Sequence, residues 1–256
     1  MKTRLLSSPE RIKVCGDINL NHTSSFFHFI RGDFMEKYIK SLHPLLYIVL
    51  LLLISPIYGI LNQSTEGAIN VALPIDDYIP FLSVFVIPYL LWYPFIYGML
   101  VYYCYRDRKQ YYNALGSIIA GKLFCFVIYY FWQTTMPRPV ITDSHLFTDL
   151  IRFVYAVDEP VNCLPSIHVM TTFVIMLIAY SRRYGHKWEF SLVTTIGTLI
   201  ILSTLFTKQH AVIDAAAGMF VASFFLIAVK AAAYAARRME SVSLKKQKEA
   251  RDADVL

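Results

Sequence analysis

The chain is predicted to be an all-α protein, a polytopic membrane bundle of six transmembrane helices with both termini on the cytoplasmic side. Three observations predict it. Hydrophobic residues make up 56% of the 256 positions and charged residues only 16%, against roughly 45–50% and 25% in ordinary soluble domains. The apolar residues fall in six long runs, each near the roughly 20 residues a helix needs to cross a hydrocarbon core of about 30 Å. Lys and Arg are distributed between those runs in an alternating pattern, which is how orientation in a bilayer is encoded.

Taken in order, residues 1–43 carry no apolar stretch resembling a cleavable signal. They are expected to be a cytosolic N-terminal segment with a short interfacial helix around Phe26 to Phe34. The membrane domain, 44–236, holds spans expected at Pro44–Leu61, Phe81–Tyr105, Tyr112–Trp132, Cys163–Ser181, Trp188–Phe206 and Ala211–Ala236. Helices are required because an open sheet leaves backbone groups unsatisfied in lipid, and no run alternates as a barrel strand does. Pro56, Pro88 and Pro94 fall within the first two spans and are expected to kink them. The longest connection, 133–162, places Pro137, Pro139 and Pro160 around an amphipathic stretch near His145–Val157, which reads as a lid or an interfacial helix. Residues 237–256 form a charged cytosolic tail, either a helix continuing the last span or a disordered extension.

The basic residues set the orientation. With the N-terminus inside, 20 of the 24 Lys and Arg fall in cytoplasmic segments, counting Lys230 in the inner half of the last span with the tail, while residues 62–80 contain none and carry Glu66, Asp76 and Asp77. The exceptions are Arg138, Arg152 and Lys208 outside and Lys122 within the third span. The net charge of +6 is thus explained by topology and implies no nucleic-acid partner. Cys15, Cys104, Cys125 and Cys163 show neither metal-type spacing nor a disulfide framework.

Three segments concentrate polar residues at the outer membrane level: Met136–Pro139 (MPRP), Cys163–His168 (CLPSIH) and Ser203–Asp214 (STLFTKQHAVID). Ionisable groups beside spans are costly and point to function. His210 and Asp214 are four residues apart, so at the start of a helix they share a face, and the carboxylate can orient the imidazole as a base or nucleophile. Pro165 suits a first helical turn, which places Ser166 and His168 at a helix N-terminus, a natural anion site. Arg138 and Lys208 supply charge for phosphate oxygens. Single residues have plainer readings: His43, His145 and Arg152 as interfacial groups, and Lys122 as a residue that snorkels or pairs within the bundle.

In these residues the chain resembles the type 2 phosphatidic acid phosphatase superfamily, whose pattern is KxxxxxxRP, PSGH and SRxxxxxHxxxD. The counterparts are Arg138-Pro139, Pro165-Ser166-Ile167-His168, and Ser203-Thr204 through His210 to Asp214, within roughly residues 80–236. Phe131, Ile167 and Thr204 stand where the pattern has Lys, Gly and Arg. The CxPSxH and TKQHxxxD forms resemble the branch that includes inositol phosphorylceramide synthases and many bacterial membrane phosphatases.

The resemblance implies hydrolysis of a membrane lipid phosphate ester through a phosphohistidine on His210. Asp214 orients that ring, His168 acts as acid and base, and Arg138, Ser166 and Lys208 hold the phosphate, with no metal or other cofactor. The site is expected on the non-cytoplasmic face of the plasma membrane. Transfer to a lipid alcohol uses the same residues and is the main alternative. A metal site of His168, His210 and Asp214, and a non-catalytic lipid transporter or scaffold, are further alternatives.

Overall fold

Every apolar run predicted as a span is helical in the computed structural model, which describes residues 44–62 and 67–253. The expected helix at Phe26 to Phe34 lies outside the described residues. The described residues from Leu45 onward form one unit. Its long helices are α1 (Pro44–Leu61), α3 (Val86–Arg106), α4 (Arg108–Phe131), α6 (Ile167–Arg182), α7 (Lys187–Phe206) and α8 (Val212–Ala253). The short elements between them are β1 (Ile69–Asn70), α2 (Pro74–Asp77), β2 (Thr134–Thr135) and α5 (Leu146–Val157).

Five of these helices are long and apolar enough to cross a membrane, whereas α6 has 16 residues, about 24 Å of rise. It begins four residues later than the run Cys163–Ser181 implied. The Ser166 hydroxyl accepts the Val169 N–H at 3.3 Å, so this residue caps the helix and the chain before it turns aside. A shorter rise is tolerable because α6 packs against α3, α4, α7 and α8 and shows lipid little of its length. In contrast, only 11% of the apolar window of α1 is buried within the protein, leaving that helix at the lipid-facing edge.

Pro88 is the third residue of α3, after a 3-10 turn at Ser83–Phe85, where its missing N–H removes no helical bond. It belongs to the helix start rather than to a mid-span kink, while Pro94 lies inside α3. The stretch near His145–Val157 is α5, whose Ile151 and Val154 pack on Val86 and Tyr89 while Leu146, Phe153 and Val157 are exposed. The tail is helical: α8 runs 42 residues to Ala253, about 63 Å, well beyond one bilayer core.

Short connections make neighbouring helices antiparallel. At one end, Arg182 pairs with Asp107 and, at 3.0 Å, with Glu189, tying the α3–α4 turn to the α6–α7 turn. At the other, β1 pairs in parallel with β2 through Ile69 and Thr134, and Thr135 bridges to Val161. The connections that carry the polar motifs are thereby gathered at that end.

Candidate active site

The third motif owes its shape to two helix ends. After α7, Lys208 takes a left-handed backbone conformation (φ 54°), and the N–H groups of Gln209 and His210 both donate to the Thr204 carbonyl at 3.0 and 3.1 Å. His210 therefore precedes α8 and is not on its face, contrary to the helical pairing expected from the four-residue spacing. What brings the pair together is a cap. Asp214 is the third residue of α8, and its Oδ2 accepts the Ala211 N–H at 2.8 Å, half of a capping box. That oxygen then lies 3.5 Å from His210 Nδ1.

His210 Nδ1 also lies 3.1 Å from the Cys163 carbonyl oxygen. A carbonyl only accepts, so Nδ1 carries the proton and Nε2 keeps its lone pair. Asp214 is fully buried, which strengthens its field on the ring.

His168 is the second residue of α6, held between the rings of Trp92 and Tyr89 at 4.2 and 4.9 Å. Its ring centroid is 5.8 Å from that of His210. The starts of α6 and α8, beside which this pair lies, touch closely: the Ser166 N–H donates to the Asp214 carbonyl at 3.1 Å. A Cβ on Gly218 would come within 2.7 Å of the Ser166 carbonyl oxygen. Both histidines line one cavity of about 120 Å³, with Ser55, Tyr58, Tyr93, Lys122, Tyr129, Asn162 and Ile167.

The other expected phosphate ligands are placed around this cavity rather than in its wall. Arg138 stacks on Tyr155, 4.3 Å from the ring centroid, and donates to Gln209 Oε1 at 2.5 Å and to the Tyr155 carbonyl at 3.3 Å. Burial pushes the Tyr155 hydroxyl up to about 12, so it stays a donor, to the Thr207 carbonyl at 2.6 Å. The Lys208 ammonium reaches the Asp76 carbonyl at 2.7 Å, and the Ser166 hydroxyl caps α6. Phe131, at the position of the pattern's Lys, is 65% exposed on the outside of α4.

Several contributors were not legible in the sequence. Asp76, counted there as an acidic loop residue, is buried, and its Oδ1 accepts the Val212 N–H at 2.8 Å, so it caps α8 from 136 residues away. Asp158 accepts from Tyr58 and Asn62, both at 2.8 Å, and from Tyr89 at 3.4 Å, joining α1 and α3 at the cavity. Neither belongs to a local pattern. Lys122 did carry a signal, a lone cation in an apolar run, and was read as structural.

Buried polar atoms without a partner collect here. Among the described residues they include Arg138 Nε, Gln209 Nε2, Asn162 Oδ1 and Asp214 Oδ1, two donors and two acceptors beside the histidines. The residues placed to hold a metal are Cys163, His210 and Asp214, with ligand atoms within 4.8 Å of one another, a different trio from His168, His210 and Asp214. Burial, ahead of the nearby Asp214 charge, raises the Cys163 thiol to about 12. Its Sγ lies 3.9 Å from the Gln209 carbonyl as a donor, and backbone groups already engage the facing atoms of His210 and Asp214.

A helical membrane bundle with two histidines and a buried carboxylate at one end, surrounded by cations, defines an integral membrane protein equipped for phosphoester chemistry. Residues 66–228 match the PAP2 superfamily, and the chain belongs to that superfamily. The match takes in the Asp76 segment as well as all three motifs. Membership carries phosphatase-type activity on phosphoesters. No curated protein and no solved structure matches the chain.

Proposed function

We propose that the protein hydrolyses lipid phosphate esters through a phosphohistidine intermediate at the non-cytoplasmic face. One observation carries the reading: His210 Nδ1 faces the Cys163 carbonyl at 3.1 Å with Asp214 behind it at 3.5 Å, on the wall of a cavity shared with His168. A nucleophilic imidazole needs that arrangement, with one nitrogen held as N–H beside a carboxylate and the other free.

In the first step Nε2 of His210 attacks phosphorus, and the bond from phosphorus to the leaving alkoxide breaks. His168 gives a proton to that oxygen. Asp214 stabilises the positive charge on the His210 ring. Water then attacks the phosphohistidine, His168 takes its proton, and inorganic phosphate leaves from a regenerated His210. Arg138, Lys208, Ser166 and the unpartnered Gln209 Nε2 supply donors for the phosphoryl oxygens; a single donor aimed at a developing anion contributes about 2.7–4 kcal/mol. The substrate's hydrocarbon stays in the bilayer around the bundle.

Water is the preferred acceptor because little of the chain at this end is free to bind a second headgroup. The α7–α8 connection is folded onto α7, and the 67–80 segment is occupied in capping α8. The test follows ³²P from a lipid phosphomonoester in mixed micelles containing candidate lipid alcohols. Label released as inorganic phosphate, at a rate independent of added alcohol, supports hydrolysis. Label passing mainly into a new phospholipid would instead establish the transferase.

A further inference from the structure

We propose that Lys122, in the membrane-spanning part of α4, binds the phosphate of the substrate, and that the substrate reaches it sideways through the crevice between α1 and α3. The proposal rests on the phosphoester reading of the site and adds a ligand outside the three motifs.

Lys122 is 8% exposed, yet among the described residues its ammonium has one hydrogen-bond acceptor, Ser55 Oγ at 3.0 Å. The Ser55 proton is committed to the Leu51 carbonyl at 2.6 Å, so Ser55 meets Lys122 with a lone pair. The Phe126 ring lies 5.8 Å away. Among the described residues no carboxylate pairs with this ammonium. An ammonium has three donors, and a cation left uncompensated within a membrane span is costly. An anion in the adjoining cavity removes the cost.

The cavity has the chemistry for that anion. Among the described residues Lys122 is the one Lys or Arg in its wall, beside His168 and His210. Two of its tyrosines are turned to protein acceptors, Tyr58 to Asp158 at 2.8 Å and Tyr129 to the Pro165 carbonyl. A second, narrower crevice shares Tyr93 and Lys122 with it and is otherwise lined largely by apolar groups such as Leu51, Ile96 and Ile118. The pair has the chemistry for a phosphorylated amphiphile, with its phosphate at Lys122 and its chain leading out between α1 and α3, which must part to admit it. Because Phe131 points outward, Lys122 supplies from inside the bundle a charge that the motif position does not.

The experiment compares wild type with Lys122→Met and Lys122→Arg in detergent. Methionine suits an apolar span and keeps the side-chain length, so folding is not at risk. Inorganic phosphate is titrated while the unfolding temperature is followed, and KM and kcat are measured for a lipid phosphomonoester. Lys122→Met is expected to raise both the half-saturating phosphate concentration and KM by about 10–100-fold, as for a lost charge-assisted hydrogen bond, with a smaller change in kcat. Lys122→Arg should recover part of each. Equal half-saturation in wild type and Lys122→Met, or no phosphate effect on either, overturns the assignment. A wild type that binds phosphate through Lys122 but cleaves no ester sinks the hydrolase reading and leaves this site standing.

Discussion

At the scale of single residues, Asp214 combines two roles that mutation can separate. Its carboxylate accepts the Ala211 N–H, which any short side chain with an oxygen there can do, and its charge faces His210, which only a carboxylate can provide. Asp214→Asn should keep the cap and the unfolding temperature while kcat falls by roughly 10²–10⁴-fold. Asp214→Ala should lose the cap as well, at about 1 kcal/mol of stability. His210→Ala should abolish turnover. Trapping ³²P-labelled enzyme with wild type but not with His210→Ala checks the covalent step, and more than about a hundredth of the wild-type rate in His210→Ala would remove the case for it. The sequence pointed to this pair through its spacing, but for a reason that does not hold. His210 is placed by the α7 carbonyls and Asp214 by the α8 cap, so the motif preserves a turn between two helices.

Among the elements, the decisive contact is the crossing of α8 over the start of α6. Gly218 permits it: its missing Cβ would stand 2.7 Å from the Ser166 carbonyl and 3.2 Å from the Met170 nitrogen, backbone atoms that cannot swing away. Gly218→Ala should push α8 off α6 and separate His210 from His168. The expected result is a stability loss of about 1–3 kcal/mol with a larger proportional loss of activity. Gly98→Ala is the control, since nothing lies within 4 Å of its Cβ, and a helical Ala there should be neutral or stabilise by up to about 1 kcal/mol. Thermal unfolding and turnover of both variants, in the same detergent, decide the matter. Indistinguishable results for the two glycines would show that the crossing is not tight. Asp76 works at this scale too, closing the first turn of α8 from a distant segment.

For the whole molecule, the distribution of charge is the basis of the expected orientation. The Arg106, Arg108, Arg182 and Lys187 end of the bundle is opposite the end that carries the histidines, and 20 of 24 basic residues belong to the segments expected inside. Asn70→Cys, His145→Cys and Gly185→Cys all fall at exposed positions. With Cys15 replaced, the first two should react with a membrane-impermeant thiol reagent in intact cells and the third only after lysis. Labelling of position 185 alone would turn the site to the cytoplasm.

The sequence by itself determined the helical membrane class, because twenty-residue apolar runs have no other stable form in lipid. It also pointed to the candidate site, because histidine, carboxylate and arginine beside apolar runs are costly. Which groups gather around the two histidines follows from the tertiary structure alone. Asp76 meets the third motif at Val212 across 136 residues, while Asp158 and Lys122 meet α1 across 100 residues to Tyr58 and 67 to Ser55. No local periodicity records such distances, since helix packing and the two small strands create them. The short α6 has the same origin. Its apolar composition marked a span, but its length was set by the Ser166 cap and by enclosure among α3, α4, α7 and α8, where protein rather than lipid defines how long a helix must be.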